Sequence, residues 1–194
     1  MTIAATSGSA LWFATRATGV TALILLTLTV VLGVSNVARV HRLPIPRFVF
    51  DSVHRNAALL SVSFVALHVA SAIADGYVPI RVADAFVPFG AAYRPLWLGL
   101  GAVSLDLLLA VIVTSLLRRR LGYRLWRLTH WLAYASWPVA LLHSLGAGSD
   151  AGTRWMTAVA IGCTAAMIAA VAARLAGSGH GRSGPLVPAP RGAR

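Results

Sequence analysis

Four histidines stand inside long apolar stretches of this chain, His54 and His68 in one, His130 and His143 in another. Ionisable side chains are costly at bilayer depth and tend to mark a pathway or a site. A neutral imidazole there offers two kinds of chemistry: a lone pair for a metal, most familiarly as an axial ligand of haem iron, or a station in a proton relay. The spacing favours ligation. At about 1.5 Å per residue, the 14-residue step from His54 to His68 spans about 21 Å and the 13-residue step from His130 to His143 about 19.5 Å. Each pair therefore divides between two depths, giving two clusters, whereas a relay needs an unbroken chain of neighbours.

Helices must position these rings. The chain has 194 residues, 58% hydrophobic and 11% charged, with mean hydropathy +0.76, too apolar for a water-soluble domain of this length. Five apolar stretches reach or approach the roughly 20 residues that cross a hydrocarbon core of about 30 Å. They lie at about 11–34, 51–74, 97–117, 126–147 and 153–176. The expected fold is all-α, a polytopic membrane bundle of about five transmembrane helices. No positive charge precedes the first stretch and its apolar run is long, so it reads as a retained helix rather than a cleaved signal.

The expected layout is a short external N-terminus at 1–10, a membrane domain at 11–176 and a basic cytoplasmic tail at 177–194. That tail is rich in Gly, Ser, Pro and Arg, a composition unable to bury enough apolar surface to fold. Leu43-Pro44-Ile45-Pro46 ends the first span and precedes the second. The segment 76–95, with Pro79, Pro88, Gly90 and Pro95, is expected either on the membrane surface or as a cap on the bundle.

The second and fourth spans run in the same direction, which pairs His54 with His130 and His68 with His143. At about 100° per residue, fourteen residues fall about 40° short of four turns, so His54 and His68 share a face. Thirteen fall about 140° short, so His130 and His143 diverge on a straight helix; Pro138 between them is expected to kink or loosen it.

Net charge is +12, from seventeen basic residues, all Arg, against five acidic ones, all Asp. The arginines cluster at span ends and in the tail, a pattern of membrane topology that argues against nucleic-acid binding. Arg39, Arg42 and Arg47, then Arg118, Arg119, Arg120 and Arg124, then Arg182, Arg191 and Arg194 mark the inner side. The alternate connections hold only Arg81 and Arg94 beside Asp75 and Asp84, and Asp150 with Arg154. The expected location is the cell membrane, with the N-terminus outside and the C-terminus cytoplasmic.

Cys163 stands alone in an apolar helix and is expected to pack. Asp106, deep in the third span, is expected to pair, to hydrogen-bond or to stay protonated, with proton transfer the functional option. Trp12, Trp97, Trp126, Trp131, Trp137, Tyr134 and Trp155 read as interfacial anchors. His41 and His180 lie outside the spans and are expected to be solvated.

The segments His54-Arg55-Asn56 through Ala66-Leu67-His68-Val69, and Trp126-Arg127-Leu128-Thr129-His130 through Trp137-Pro138 to His143, resemble the ferric-reductase-like transmembrane domain of NADPH oxidases and bacterial haem-containing reductase subunits. The resemblance covers roughly 11 to 176 and rests on the paired histidines. It implies b-type haem, two per chain or one, with His54 and His130 ligating nearer the cytoplasm and His68 and His143 nearer the outside. Arg16 would meet a propionate of the outer haem, and Arg55 and Arg127 propionates of the inner one. Electrons would move outward, which makes the chain the haem electron-transfer subunit of an oxidoreductase. Complete family enzymes carry a cytoplasmic flavin and nicotinamide domain, whereas this sequence has no glycine-rich dinucleotide loop. The donor is therefore expected to be a cytoplasmic flavoprotein reductase or a quinol, and the acceptor external: ferric iron, oxygen or a flavin-bearing protein. Two other functions fit the same residues: the haem-bearing membrane anchor of a periplasmic reductase, such as one acting on methionine sulfoxide, and a proton channel or transporter using the histidines and Asp106.

Overall fold

A computed structural model describes residues 2–37, 46–76, 78–148 and 150–179. Within them the chain is helical and contains no strand: α1 Thr2–Val37, α2 Arg47–Ala74, α3 Pro95–Leu116, α4 Arg118–His130, α5 Leu132–Ala147 and α6 Arg154–Gly179, with a short 3₁₀ turn at Val82–Ala85. The Leu43 to Ile45 part of the proline-rich connection, His41, His180 and the tail beyond Gly179 lie outside the described residues. Pro46 takes an extended conformation immediately before α2, where its missing N–H costs the helix no hydrogen bond.

Four helices among the described residues are long and apolar enough to cross a bilayer, over Ala10–Ser35, Phe48–Ala74, Pro95–Leu116 and Arg154–Ala176. The fourth expected span, 126–147, is divided. α5 has 16 residues, about 24 Å of rise against a core of about 30 Å, and the last turn of α4 leads into it through Trp131. Their outward faces are rich in exposed aliphatic side chains, among them Leu59, Leu60 and Leu67 on α2 and Ile161, Ile168 and Leu175 on α6. Surface of that kind suits lipid and would drive association in water. The protein is a multi-pass membrane protein.

The helices form two hairpin-like pairs. α1 packs along α2, α3 packs along α5, and α1 joins the pairs by also touching α5 and α6. Leu23, Leu26, Val30 and Val34 of α1 meet Trp137 of α5 and Met156, Cys163 and Ala170 of α6 in the buried core. Cys163 is a packing residue there, as expected. One polar clasp crosses this core: Trp137 Nε1 donates to Thr27 Oγ1 at 2.8 Å, and that hydroxyl donates to Leu23 O at 2.7 Å. By contrast α2 and α5 make no extensive helix-to-helix contact.

The segment between α2 and α3 caps the bundle. Its 3₁₀ turn packs on α3, and the turn is closed by Asp84, which accepts from the Arg81 backbone N–H at 2.9 Å and from the Arg81 guanidinium at 2.9 Å. Arg94, at the start of α3, reaches across and donates to Gly146 O at 2.7 Å, satisfying a carbonyl that the end of α5 leaves without a helical partner.

Candidate functional site

The two histidine-bearing helices that do not pack together are bridged by imidazoles. His68 of α2 and His143 of α5 have ring centroids 6.2 Å apart, with planes at 78°. Two imidazoles bound on opposite sides of one metal, with metal–nitrogen bonds of about 2 Å, bring their centroids to about 6 Å. The expected outer pair is therefore brought together at a separation that suits shared ligation.

Each ring is held from behind by a neighbouring helix. His68 Nδ1 lies 2.8 Å from Thr15 O on α1, and His143 Nδ1 lies 2.7 Å from Trp97 O on α3. A carbonyl can only accept, so both rings carry their proton on Nδ1 and leave Nε2 with a lone pair. Backbone bonds of this kind fix tautomer and orientation in metal-binding histidines. The backing helix comes close enough only because a glycine stands four residues after each accepting carbonyl. A Cβ on Gly19 would sit 2.8 Å from His68 Nδ1, and one on Gly101 would sit 2.7 Å from His143 Nδ1.

His54 repeats the arrangement. Its Nδ1 lies 3.0 Å from Thr29 O, and a Cβ on Gly33 would lie 3.3 Å from its Cε1. The α1 pairs Thr15 with Gly19 and Thr29 with Gly33 thus recur at the 14-residue interval that separates His68 from His54 on the antiparallel α2. Thr15 and Thr29 also donate or share hydrogen bonds with Ser71 and Ser61, at 2.9 and 3.2 Å, which locks the register of the two helices.

His130 differs. It ends α4, stacks on Trp126 with ring centroids 5.1 Å apart, and its Nδ1 is a buried atom without a hydrogen-bond partner, alone in that respect among the side chains of the described residues. His130 and His54 lie within electrostatic reach of each other, but they are not in the ring contact that joins His68 and His143. The helical break that separates His130 from His143 falls at Trp131, while Pro138 sits inside α5. A tightened turn stands seven residues before Pro138, linking Trp131 N to Leu128 O and Tyr134 N to Trp131 O.

Arg16 stacks on Trp12 at 3.9 Å and forms an ion pair with Asp150, joining α1 to the loop between α5 and α6 near the His68–His143 pair. Arg55 and Arg127 are exposed, and the Arg127 guanidinium lies 5.6 Å from the Tyr123 ring. Asp106 is half-buried on α3. No three His, Cys, Asp or Glu side chains gather into a metal cluster among the described residues.

A family model described as the ferric reductase like transmembrane component matches residues 18–141, most of the 194. The chain belongs to this family. The match takes in Gly19, Gly33, His54, His68, Gly101 and His130 and ends two residues before His143. No curated protein and no solved structure gave a match. Membership in the ferric-reductase-like family points to electron transfer across the membrane.

Sequence reasoning about this ferric-reductase-like domain found the four histidines and missed what holds them: Thr15, Gly19, Thr29, Gly33, Trp97 and Gly101. A signal was available. Thr-x-x-x-Gly occurs twice in α1 at the same 14-residue spacing as the α2 histidines. For Trp97 the working atom is the backbone carbonyl, which no side-chain pattern reveals.

Proposed function

We propose that the chain is a transmembrane b-type cytochrome that passes electrons through bis-histidine haems from a cytoplasmic flavoprotein or quinol to an external acceptor such as ferric iron, oxygen or a flavin-bearing protein. The observation that carries this reading is the 6.2 Å His68–His143 pair, contributed by two helices that do not otherwise pack, each ring braced through Nδ1. The donor set fits haem: neutral imidazoles with Nε2 available and glycine notches behind them. Haem iron, once bound, would supply one-electron chemistry whose potential the ligands tune.

The chain's own residues do the positioning. His68 and His143 would ligate the outer haem and His54 and His130 the inner one. The carbonyls of Thr15, Trp97 and Thr29 keep three of the four rings in the ligating tautomer. Arg16, Arg55 and Arg127 would neutralise propionates, a charge-assisted role that guanidinium geometry suits. The arginine distribution supports an outside N-terminus and a cytoplasmic C-terminus in the cell membrane. A proton channel is less well supported, because three of the four Nδ1–H groups are committed to backbone carbonyls and the histidines form two separate groups.

The test is a reduced-minus-oxidised spectrum and a pyridine haemochrome count on the purified protein, His68→Ala and His130→Ala. About two b haems per chain, one lost in each variant, would bear the proposal out. No haem in wild type despite ample supply would sink it.

A further inference from the structure

Three histidines share one bracing device and the fourth lacks it, and the position that replaces the device can be identified. In each braced case a carbonyl receives the imidazole Nδ1–H and the residue four further along that helix is glycine: Thr15 with Gly19, Thr29 with Gly33, Trp97 with Gly101. α3 runs antiparallel to the α4–α5 segment. His143 faces Gly101, so stepping back thirteen residues to His130 means stepping forward thirteen on α3, to Thr114.

Contacts agree with that register. Thr129, next to His130, donates to Thr114 Oγ1 at 3.1 Å, and Trp126, on which His130 stacks, donates to Ser115 Oγ at 3.3 Å. The carbonyl that corresponds to those of Thr15, Thr29 and Trp97 is Ala110 O. It accepts from Thr114's own hydroxyl at 2.7 Å. By this register threonine stands where glycine leaves a notch elsewhere, and its hydroxyl competes for the carbonyl that elsewhere receives histidine. His130 Nδ1 is correspondingly without a partner.

We propose that Thr114 is a positioning residue that makes the inner ligand pair unlike the outer one, by denying His130 the carbonyl brace that His54, His68 and His143 possess. This rests on the reading of His54 and His130 as inner ligands. A hydrogen bond from Nδ1 to a carbonyl makes imidazole a stronger donor, and outer partners of this kind alter metal affinity by about 10- to 100-fold. The unbraced ring is the weaker donor, so it favours the oxidised metal less. Thr114 therefore raises the midpoint potential of the inner site above the value a braced pair would give, and loosens its hold on the cofactor.

The experiment compares wild type with Thr114→Gly, Thr114→Ala and Thr114→Ser, as purified full-length protein in detergent. It reads haem per chain, the midpoint of each haem by equilibrium redox titration, and the low-spin ferric EPR spectrum. Thr114→Gly opens the notch and releases Ala110 O. If it strengthens preference for the ferric state tenfold, the inner midpoint falls by about 59 mV for a one-electron couple, with the outer midpoint unmoved. If wild type holds only the outer haem, the same variant is expected to gain the inner one. Thr114→Ala, which keeps good helix propensity, moves the same way by less and serves if the glycine variant does not fold. Thr114→Ser retains the hydroxyl and behaves as wild type. Unchanged inner occupancy, midpoint and EPR signal in both Gly and Ala variants overturn the proposal while leaving the two-haem reading intact. A wild-type protein that binds no haem overturns both.

Discussion

Gly19 faces the imidazole of His68 across the α1–α2 contact so closely that a Cβ at Gly19 would stand 2.8 Å from Nδ1. Real Cβ atoms do not approach that near, so the ring, its bond to Thr15 O, or both must give way in any substituted chain. Gly19→Ala and Gly101→Ala are each expected to cost the outer haem, with affinity down about 10- to 100-fold. Gly162→Ala on α6, where nothing lies within 4 Å, should leave haem content unchanged. A haemochrome count under limiting haem checks this, and equal retention in all three would count against the notch.

Gly33→Ala should be milder. Its Cβ would stand 3.3 Å from His54 Cε1, tight but open to adjustment by a few tenths of an ångström. A modest shift in the spectrum or midpoint of the inner haem is expected, without loss of haem. Complete loss would mean that α1 cannot yield there.

The clasp between Trp137 and Thr27 joins α5 to α1 within the buried core. Trp137→Phe removes the donor and leaves the Thr27 hydroxyl with its bond to Leu23 O. A loss of about 1–3 kcal/mol is expected for disturbing a buried hydrogen-bonded pair. Thermal inactivation in detergent, followed by haem release, would read it, and a melting temperature within error of wild type would refute it.

The histidines, the apolar spans and the all-helical class were legible in the sequence because each is a local property of residue type and run length. Boundaries were less so. Residues 118–125 fall between two expected spans, yet they belong to α4, which is helical on either side of a kink at Gly122, φ 77°, since arginines favour helix as readily as they mark an interface. The difference between His130 and the other histidines was not legible from spacing. It depends on which residue of an antiparallel neighbour stands opposite, a relation that only the packed helices establish.

Arg16 and Asp150 make a charge prediction possible. If Arg16 lies over the outer haem as proposed, Arg16→Gln removes positive charge that favours the reduced state, and the outer midpoint should fall. Asp150→Asn should raise it. Identical outer midpoints in both variants and wild type would remove Arg16 from the site.

Asp84 supplies a pH dependence outside the membrane. Its hydrogen bonds from the Arg81 side chain, then from the Arg81 backbone, hold its carboxyl below the usual carboxylate range despite burial, which opposes them. A depressed carboxyl contributes stability above its unfolded value and loses it as pH falls toward the folded one. Protection of residues 78–95 against hydrogen exchange or proteolysis is therefore expected at neutral pH and should decline as pH drops through and below the ordinary carboxylate range. Asp84→Asn should show low protection throughout, and a wild-type profile in that variant would exclude the pair as the cause.

The division of the bundle into an α1–α2 hairpin and an α3–α5 hairpin bears on how such a protein matures. On the proposed reading the outer ligands, His68 and His143, come one from each hairpin, so neither hairpin alone would capture the haem as it leaves the translocation machinery. Loading would then wait until the chain has been integrated at least through α5, when α2 and α5 both stand beside α1. Prosthetic-group insertion would thus be a late, post-integration step that rivets two preformed halves together.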